Sequence, residues 1–194
     1  MISSNEYLRK LIHSCNLFIP LAYLILFTEK LQMVSILIVL SLVFLFIDVA
    51  RHKIRWIRLI FETLFDNMLR SHEMDGKLTG ATWVMIGSVI TIALFSKPVA
   101  IISLIFMSLG DTAAGLIGQK FGKHKVGDKS WEGFFAGLVV CFIVAINFPL
   151  LPLKISLVGA LVAMIMELSP IPLDDNFKIP LGSGAIMMML STPI

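Results

Sequence analysis

The chain has 194 residues, of which 57% are hydrophobic and only 15% charged, and its mean hydropathy is +0.91. A soluble domain carries about 25% charged residues, so the chain falls outside the water-soluble class. Its formal net charge of +3 comes with no basic stripe interleaved with aromatics, so nucleic acid is excluded as a partner. Cys15 and Cys141 sit in apolar runs with no CxxC or Cys/His spacing, which leaves neither a disulfide framework nor a zinc site.

In chain order, apolar runs long enough to approach the roughly 20 residues of a transmembrane helix fall at about 11–27, 31–49, 78–95, 98–117, 133–150, 155–169 and 180–194. The predicted fold class is therefore all-α: a polytopic integral membrane protein of about seven transmembrane helices, one domain over 1–194. The opening MISSNEYLRK has no signal-peptide core or small-residue cleavage site, so the first span is expected to be retained. Between the second and third spans, 50–77 begins basic and carries Ile57, Ile60, Phe61, Leu64, Phe65 and Met68 at helical spacing. That pattern predicts an amphipathic helix lying at the membrane interface.

If all seven runs cross, the N-terminus and the segments 50–77, 118–132 and 170–179 share one side. Thirteen Lys and Arg lie there, against Lys30, Lys97 and Lys154 on the other. Positive charge marks the cytoplasmic face, so the N-terminus is expected to be cytoplasmic. A multi-pass protein of the cell (inner) membrane follows, or of the endoplasmic reticulum or another internal membrane in a eukaryote. Of the acidic residues only Glu29 falls on the outer side, so the chemistry-bearing groups face the compartment that holds nucleotides.

The most informative stretch is GDTAAGLIGQKFGK at 110–123, continuing to KSWEG at 129–133. Asp111 interrupts an apolar run, and an ionisable group at such depth implies a site with a partner. On a helix Asp111, Gly115 and Gly118 share one face, where small residues admit a neighbouring helix or a ligand's phosphates. Lys120, Lys123, Lys125 and Lys129 follow within ten residues. Beside Asp111 and Glu132 they suit a magnesium–phosphate site, in which carboxylates hold the ion and lysines offset phosphate charge. The stretch is not a P-loop: Gly118 to Lys123 is one residue too short, and His124 stands where a Ser or Thr would hold the metal. Three smaller clusters join it: Arg9, Lys10 and His13; Arg70, His72 and Glu73; and Asp174, Asp175 and Asn176, with Glu167 late in the preceding span. Asn176 could bond a base, a phosphate or its own turn.

These motifs resemble the CTP-transferase superfamily of membrane enzymes, which includes phosphatidate cytidylyltransferase and the dolichol, phytol and CTP-dependent diacylglycerol kinases. The Arg9-Lys10…His13 opening, Glu73 with LTGAT at 78–82, and DDNFKIP at 174–180 look most like the kinase branch. The resemblance implies a magnesium-dependent enzyme using CTP, with Asp111 near the metal and Gly118 and Gly122 shaping the phosphate site. Lys129, Ser130 and Glu132 would match the second polar motif, and Arg9 and Lys10 the N-terminal basic pair. Phosphatidate cytidylyltransferases usually show an SPKKTWEG-type motif, whereas GDKSWEG at 127–133 lacks the proline and the double lysine and keeps the tryptophan.

With these features, the resemblance implies phosphoryl transfer from CTP to a membrane lipid alcohol of the diacylglycerol, polyprenol or phytol type. Asp111, Lys129 and Glu132 are the expected catalytic residues. Asp111 with Asp174 or Asp175 is the expected metal set. Arg9, Lys10, Arg70, Glu73, Gly115, Gly118, Lys120, Gly122, Lys123, Ser130 and Asn176 are expected to contact nucleotide or substrate. The alternatives are cytidylyl transfer to phosphatidate, and a small transporter or non-catalytic scaffold. A homo-oligomer stays open, because small-residue faces could pack within or between chains.

Overall fold

The computed structural model describes residue 10, residues 13–65 and residues 78–191. After a single 3₁₀ turn at Cys15–Leu17, the helices are α1 (Phe18–Ile25), α2 (Lys30–Lys53), α3 (Arg55–Phe65), α4 (Gly80–Leu94), α5 (Lys97–Ile105), α6 (Asp111–Phe121), α7 (Trp131–Ile146), α8 (Leu153–Leu168) and α9 (Asp175–Ser191). A π-helical turn, Phe106–Gly110, joins α5 directly to α6, giving one continuous helix Lys97–Phe121. A two-residue hairpin pairs β1 (Lys125–Val126) with β2 (Lys129–Ser130), antiparallel. Gly127 supplies its positive φ of 59°, a backbone state that glycine reaches without steric cost.

The all-α class is borne out, and every run expected to span coincides with a helical segment. Among the described residues, however, only Lys30–Lys53 and Lys97–Phe121 are long and apolar enough to cross a membrane by length and composition. The shortfall is one of length: α7 and α8 have 16 residues each, about 24 Å of helix against a hydrocarbon core of about 30 Å. The amphipathic helix expected in 50–77 is present as α3, with Trp56, Leu59 and Ile60 exposed.

Capping and packing explain the element ends. Thr79 caps α4 through its side chain, and Ser130 caps α7, its Oγ accepting from Gly133 N at 3.1 Å. At the opposite end, Lys30 Nζ donates to the carbonyl of Ala93 (3.0 Å) and Lys97 Nζ to that of Phe27 (2.7 Å). These two lysines therefore tie the ends of α1, α2, α4 and α5 together. The core runs along α5 and the π turn, where Val99, Ala100, Ile101, Ile102, Leu104 and Phe106 are fully buried, and α8 and α9 pack against it. The outward faces stay apolar: Val139, Ile143 and Ile146 on α7 and Leu161 and Ile165 on α8 are exposed at helical spacing. Contiguous apolar surface of this kind calls for lipid or a partner.

α9 begins five residues earlier than the sequence pattern predicts, so Asp175 opens a helix instead of lying in a loop. Asp174 Oδ1 accepts from Asn176 N (2.9 Å) and from Asn176 Nδ2 (2.7 Å), which starts the helix by an Asx-type bond. Pro180 lies inside α9 and has no N–H to donate to the carbonyl of Asn176. Gly87 of α4 packs against that carbonyl, where a β-carbon would come within 2.5 Å of it.

Candidate active site

A cavity of about 1240 Å³ opens where the N-terminal segment, α6, the hairpin and the α8–α9 connection meet. Its ionisable lining comprises Lys10, Lys125, Lys129 and Lys178 with Asp111, Asp128, Glu167, Asp174 and Asp175.

Asp111 follows directly on the π turn and is 6% exposed. Such turns recur at functional sites because they reset a helix's side-chain directions. Lys10 Nζ lies 3.1 Å and His13 Nε2 3.2 Å from Asp111 Oδ2, and Lys10 also reaches the carbonyl of Asp111 at 3.4 Å. The ammonium passes over Gly115, where a β-carbon would collide with it. Glycine at that position admits the close approach of the ammonium. Gly118 and Gly122 back onto Ser130: β-carbons there would meet Ser130 Oγ at 2.9 Å and 2.6 Å. They let α6 close on the hairpin and α7; Gly118 also lines the cavity, and Gly122 does not.

Lys129 is the second focus. Its Nζ is 2.7 Å from Glu167 Oε1 and 2.7 Å from Asp175 Oδ2, and Lys178 Nζ is 3.1 Å from Asp175 Oδ1. Burial alone would lower the Lys129 pKa, but the carboxylates of Asp175, Glu167 and Asp111 outweigh it and hold the pKa above the ordinary lysine value. The hairpin thus carries a fixed cation to the ends of α8 and α9.

Glu167 is 3% exposed, and its Oε2 is buried without a hydrogen-bond partner. An acceptor left in that state is costly, and it suits an oxygen-seeking cation. The lining also sums to five carboxylates against four lysines, so a polyphosphate needs added cationic charge to enter. Both observations fit magnesium, with Glu167, Asp175 and Asp111 as the carboxylates nearest to hand. Among the described residues no three His, Cys, Asp or Glu side chains converge as a ready-made metal site. The expected carboxylates Asp111, Asp174 and Asp175 all line the cavity, where Lys10, Asn176 and Lys129 respectively engage them. Magnesium is commonly held by one or two carboxylates together with substrate phosphates.

The structure brings Lys10, Asp111, Gly115, Gly118, Lys129, Ser130, Asp174 and Asp175 to one cavity. Asn176 is buried beside it and donates to Asp174 and, at 3.4 Å, to the carbonyl of Gly80. Four other expected residues sit outside the cavity lining, Gly122 among them. Glu132 accepts from His124 Nδ1 at 2.7 Å and from His124 N, bracing the base of the hairpin. Lys120 and Lys123 are exposed outside the cavity lining. Arg9, Arg70 and Glu73 lie outside the described residues.

Glu167, named with the Asp174 cluster but not among the expected site residues, lines the cavity, and Asp48, which was not singled out, forms a second buried polar cluster. Asp48 Oδ2 accepts from Thr79 N (2.8 Å), Thr79 Oγ1 (2.9 Å) and Thr82 Oγ1 (2.6 Å), while Oδ1 lies 3.0 Å from Arg51 Nε. The signal that singled out Asp111, a carboxylate inside an apolar run, applies equally to both.

Fold and site together define a helical protein with apolar outer faces and a cavity lined by lysines and carboxylates at one end of the bundle. The chain is 28% identical over 187 residues to an uncharacterized protein of Rickettsia prowazekii (strain Madrid E), covering 91% of this chain and 90% of that one. It is 28% identical over 217 residues to CTP-dependent diacylglycerol kinase 1 of Saccharomyces cerevisiae, covering 96% and 73%. It is 29% identical over 150 residues to a probable chloroplastic phytol kinase of Triticum aestivum, covering 66% of this chain and half of that one. These relatives bear out the resemblance to the diacylglycerol and phytol kinase branch of the superfamily. No family model and no solved structure matches the chain.

Proposed function

We propose that this protein is a membrane-embedded, magnesium-dependent lipid kinase that transfers the γ-phosphoryl group of CTP to the hydroxyl of a lipid alcohol at the cytoplasmic face. The observation that carries this reading is the convergence of two ion clusters, Lys10–Asp111 and Lys129–Glu167–Asp175, on one cavity. The printed names of the diacylglycerol and phytol kinase relatives supply the reaction class and the donor.

Phosphoryl transfer asks a protein mainly for positioning and charge neutralisation. Lys10 and Lys129 meet the non-bridging phosphate oxygens as fixed cations, and Lys125 at the hairpin adds a third. Magnesium, when bound, supplies the charge that lets the triphosphate sit against Asp111, Glu167 and Asp175. His13, with its Nε2 3.2 Å from Asp111 Oδ2, orients that carboxylate. The lysine-rich face, and with it the N-terminus, lies on the nucleotide side of a multi-pass arrangement, with 1–194 working as one domain.

The experiment is incubation of purified protein in mixed micelles with magnesium and CTP labelled separately at the α and γ phosphates. A panel of lipid alcohols plus phosphatidate is offered as acceptor. Label from the γ position on a lipid alcohol is expected. Label from the α position on phosphatidate would replace the kinase by a cytidylyltransferase, and transfer of neither would remove the enzyme reading.

A further inference from the structure

The cavity is larger than the roughly 300–1,000 Å³ that encloses a single drug-sized ligand. Its lining also divides by element. The charged groups come from the N-terminal segment, α6, the hairpin and the ends of α8 and α9. An apolar group comes from the entry to α4 and the α8–α9 connection: Leu78, Trp83, Pro170, Ile171, Pro172 and Leu173.

This apolar wall is preformed. Trp83 is held edge-on by Phe177 of α9 with ring centroids 5.9 Å apart. The connection is tightened by a bond from Leu173 N to the carbonyl of Ile171 (2.8 Å), and it is pinned by Lys178 Nζ on the carbonyl of Ser169 (2.9 Å). Its two prolines fix φ. Ile171 and Leu173 are nonetheless 42% and 46% exposed, on a loop that also lines a charged pocket. Apolar side chains standing this open beside ion pairs keep surface that their own chain does not cover. They suit a ligand that is apolar at one end and polar at the other.

We infer that Leu78, Trp83 and the Pro170–Leu173 loop form the acceptor subsite of the proposed kinase, receiving the first carbons of the lipid's hydrocarbon tail and holding its hydroxyl toward Lys129 and Asp111. The inference rests on the lipid-kinase reading. It adds that tail recognition lies between α4 and the α8–α9 loop, not on the outer faces of α2 or α7. Selection between lipid alcohols is therefore made by Trp83, Ile171 and Leu173.

The test uses the full chain in mixed micelles. In the double variant I171S/L173S, and separately in Trp83→Ala, the KM for the lipid, as surface mole fraction, is expected to rise about tenfold, the loss of one buried apolar side chain. The KM for CTP should stay within about twofold. The wild type's preference for long-tailed over short-tailed acceptors should shrink in the same variants. An unchanged lipid KM, or equal rises for lipid and CTP, would overturn the subsite. A wild type that moves no γ label to any lipid fails the parent reading instead, so the two failures are separable. Should the variants not fold, the wild type is irradiated with two probes, diacylglycerol and a long-chain isoprenoid alcohol, each bearing a diazirine in the tail. Label from either probe on peptides containing 78–83 or 168–173 supports the subsite; label confined to α2 or α7 refutes it.

Discussion

At the scale of single residues, the site depends on buried charges that hold one another. Asp111→Asn keeps the side chain's size and removes the charge opposing Lys10 and His13. Turnover is expected to fall by at least about a hundredfold, the range of a single electrostatic contact at a reacting centre, with expression and membrane insertion unchanged. Near-normal turnover in that variant would take Asp111 out of the mechanism. Lys129→Gln leaves Glu167 buried and unpaired, which should cost about 2–3 kcal/mol, less than a fully enclosed pair because Lys129 is 29% exposed. Adding Glu167→Gln should restore most of the thermal midpoint in detergent but none of the activity, and a double variant as unstable as the single would deny the pairing. Because the folded-state pKa of Lys129 is raised, its stabilisation is complete below the unfolded value of about 10.4 and fades only as pH climbs through the higher folded one. An alkaline limb in the pH–rate profile below pH of about 10 therefore belongs to another group. The sequence made Asp111 legible because a carboxylate in an apolar run is conspicuous. It could not show which cation answers it, since Lys10 lies 101 positions away.

At the scale of elements, helix positions followed from apolar runs, and their ends did not. The π turn before Asp111, the short hairpin carrying Lys129 and the early start of α9 all depend on local bonds. Gly127 in its left-handed conformation and the Asp174–Asn176 pair are the residues responsible, and neither disturbs the hydrophobic period on which the spans were read. The Asp48 cluster is the clearest element-level device. It clamps α2 to the first turn of α4, whose Gly80 carbonyl receives Asn176 beside the site. Asp48→Ala removes the acceptor of the Thr79 and Thr82 bonds and the carboxylate beside Arg51, itself 4% exposed, and should cost about 3–5 kcal/mol. Asp48→Asn, which keeps an acceptor for the threonine donors, should cost less. Equal thermal midpoints for the two variants would show that the carboxylate's charge, not its hydrogen bonding, holds the clamp.

At the scale of the whole molecule, the polar ends of α6 to α9 gather on one side while Lys154 stands at the other end of the α7–α8 pair. Lys129, just ahead of α7, meets Glu167 at the close of α8, so the two helices run out and back, with their connection at the far end of the bundle. At about 24 Å each, they fall short of the hydrocarbon core, and the charge pattern predicts that they cross: the near end carries Lys120, Lys123, Lys125 and Lys129 and the far end Lys154. In a background with Cys15 replaced by serine and buried Cys141 retained, cysteines are placed singly at Lys123 and Lys154, both exposed. A membrane-impermeant maleimide should label Lys123→Cys only in inside-out vesicles and Lys154→Cys only in right-side-out vesicles. Labelling of both from one side would mean that α7 and α8 enter and leave by the same face. Tilt or local thinning of the bilayer lets a short helix cross at a cost of fractions of a kcal/mol per Å. That is small beside the cost of burying either end's lysines, so opposite labelling is the outcome the charge pattern demands.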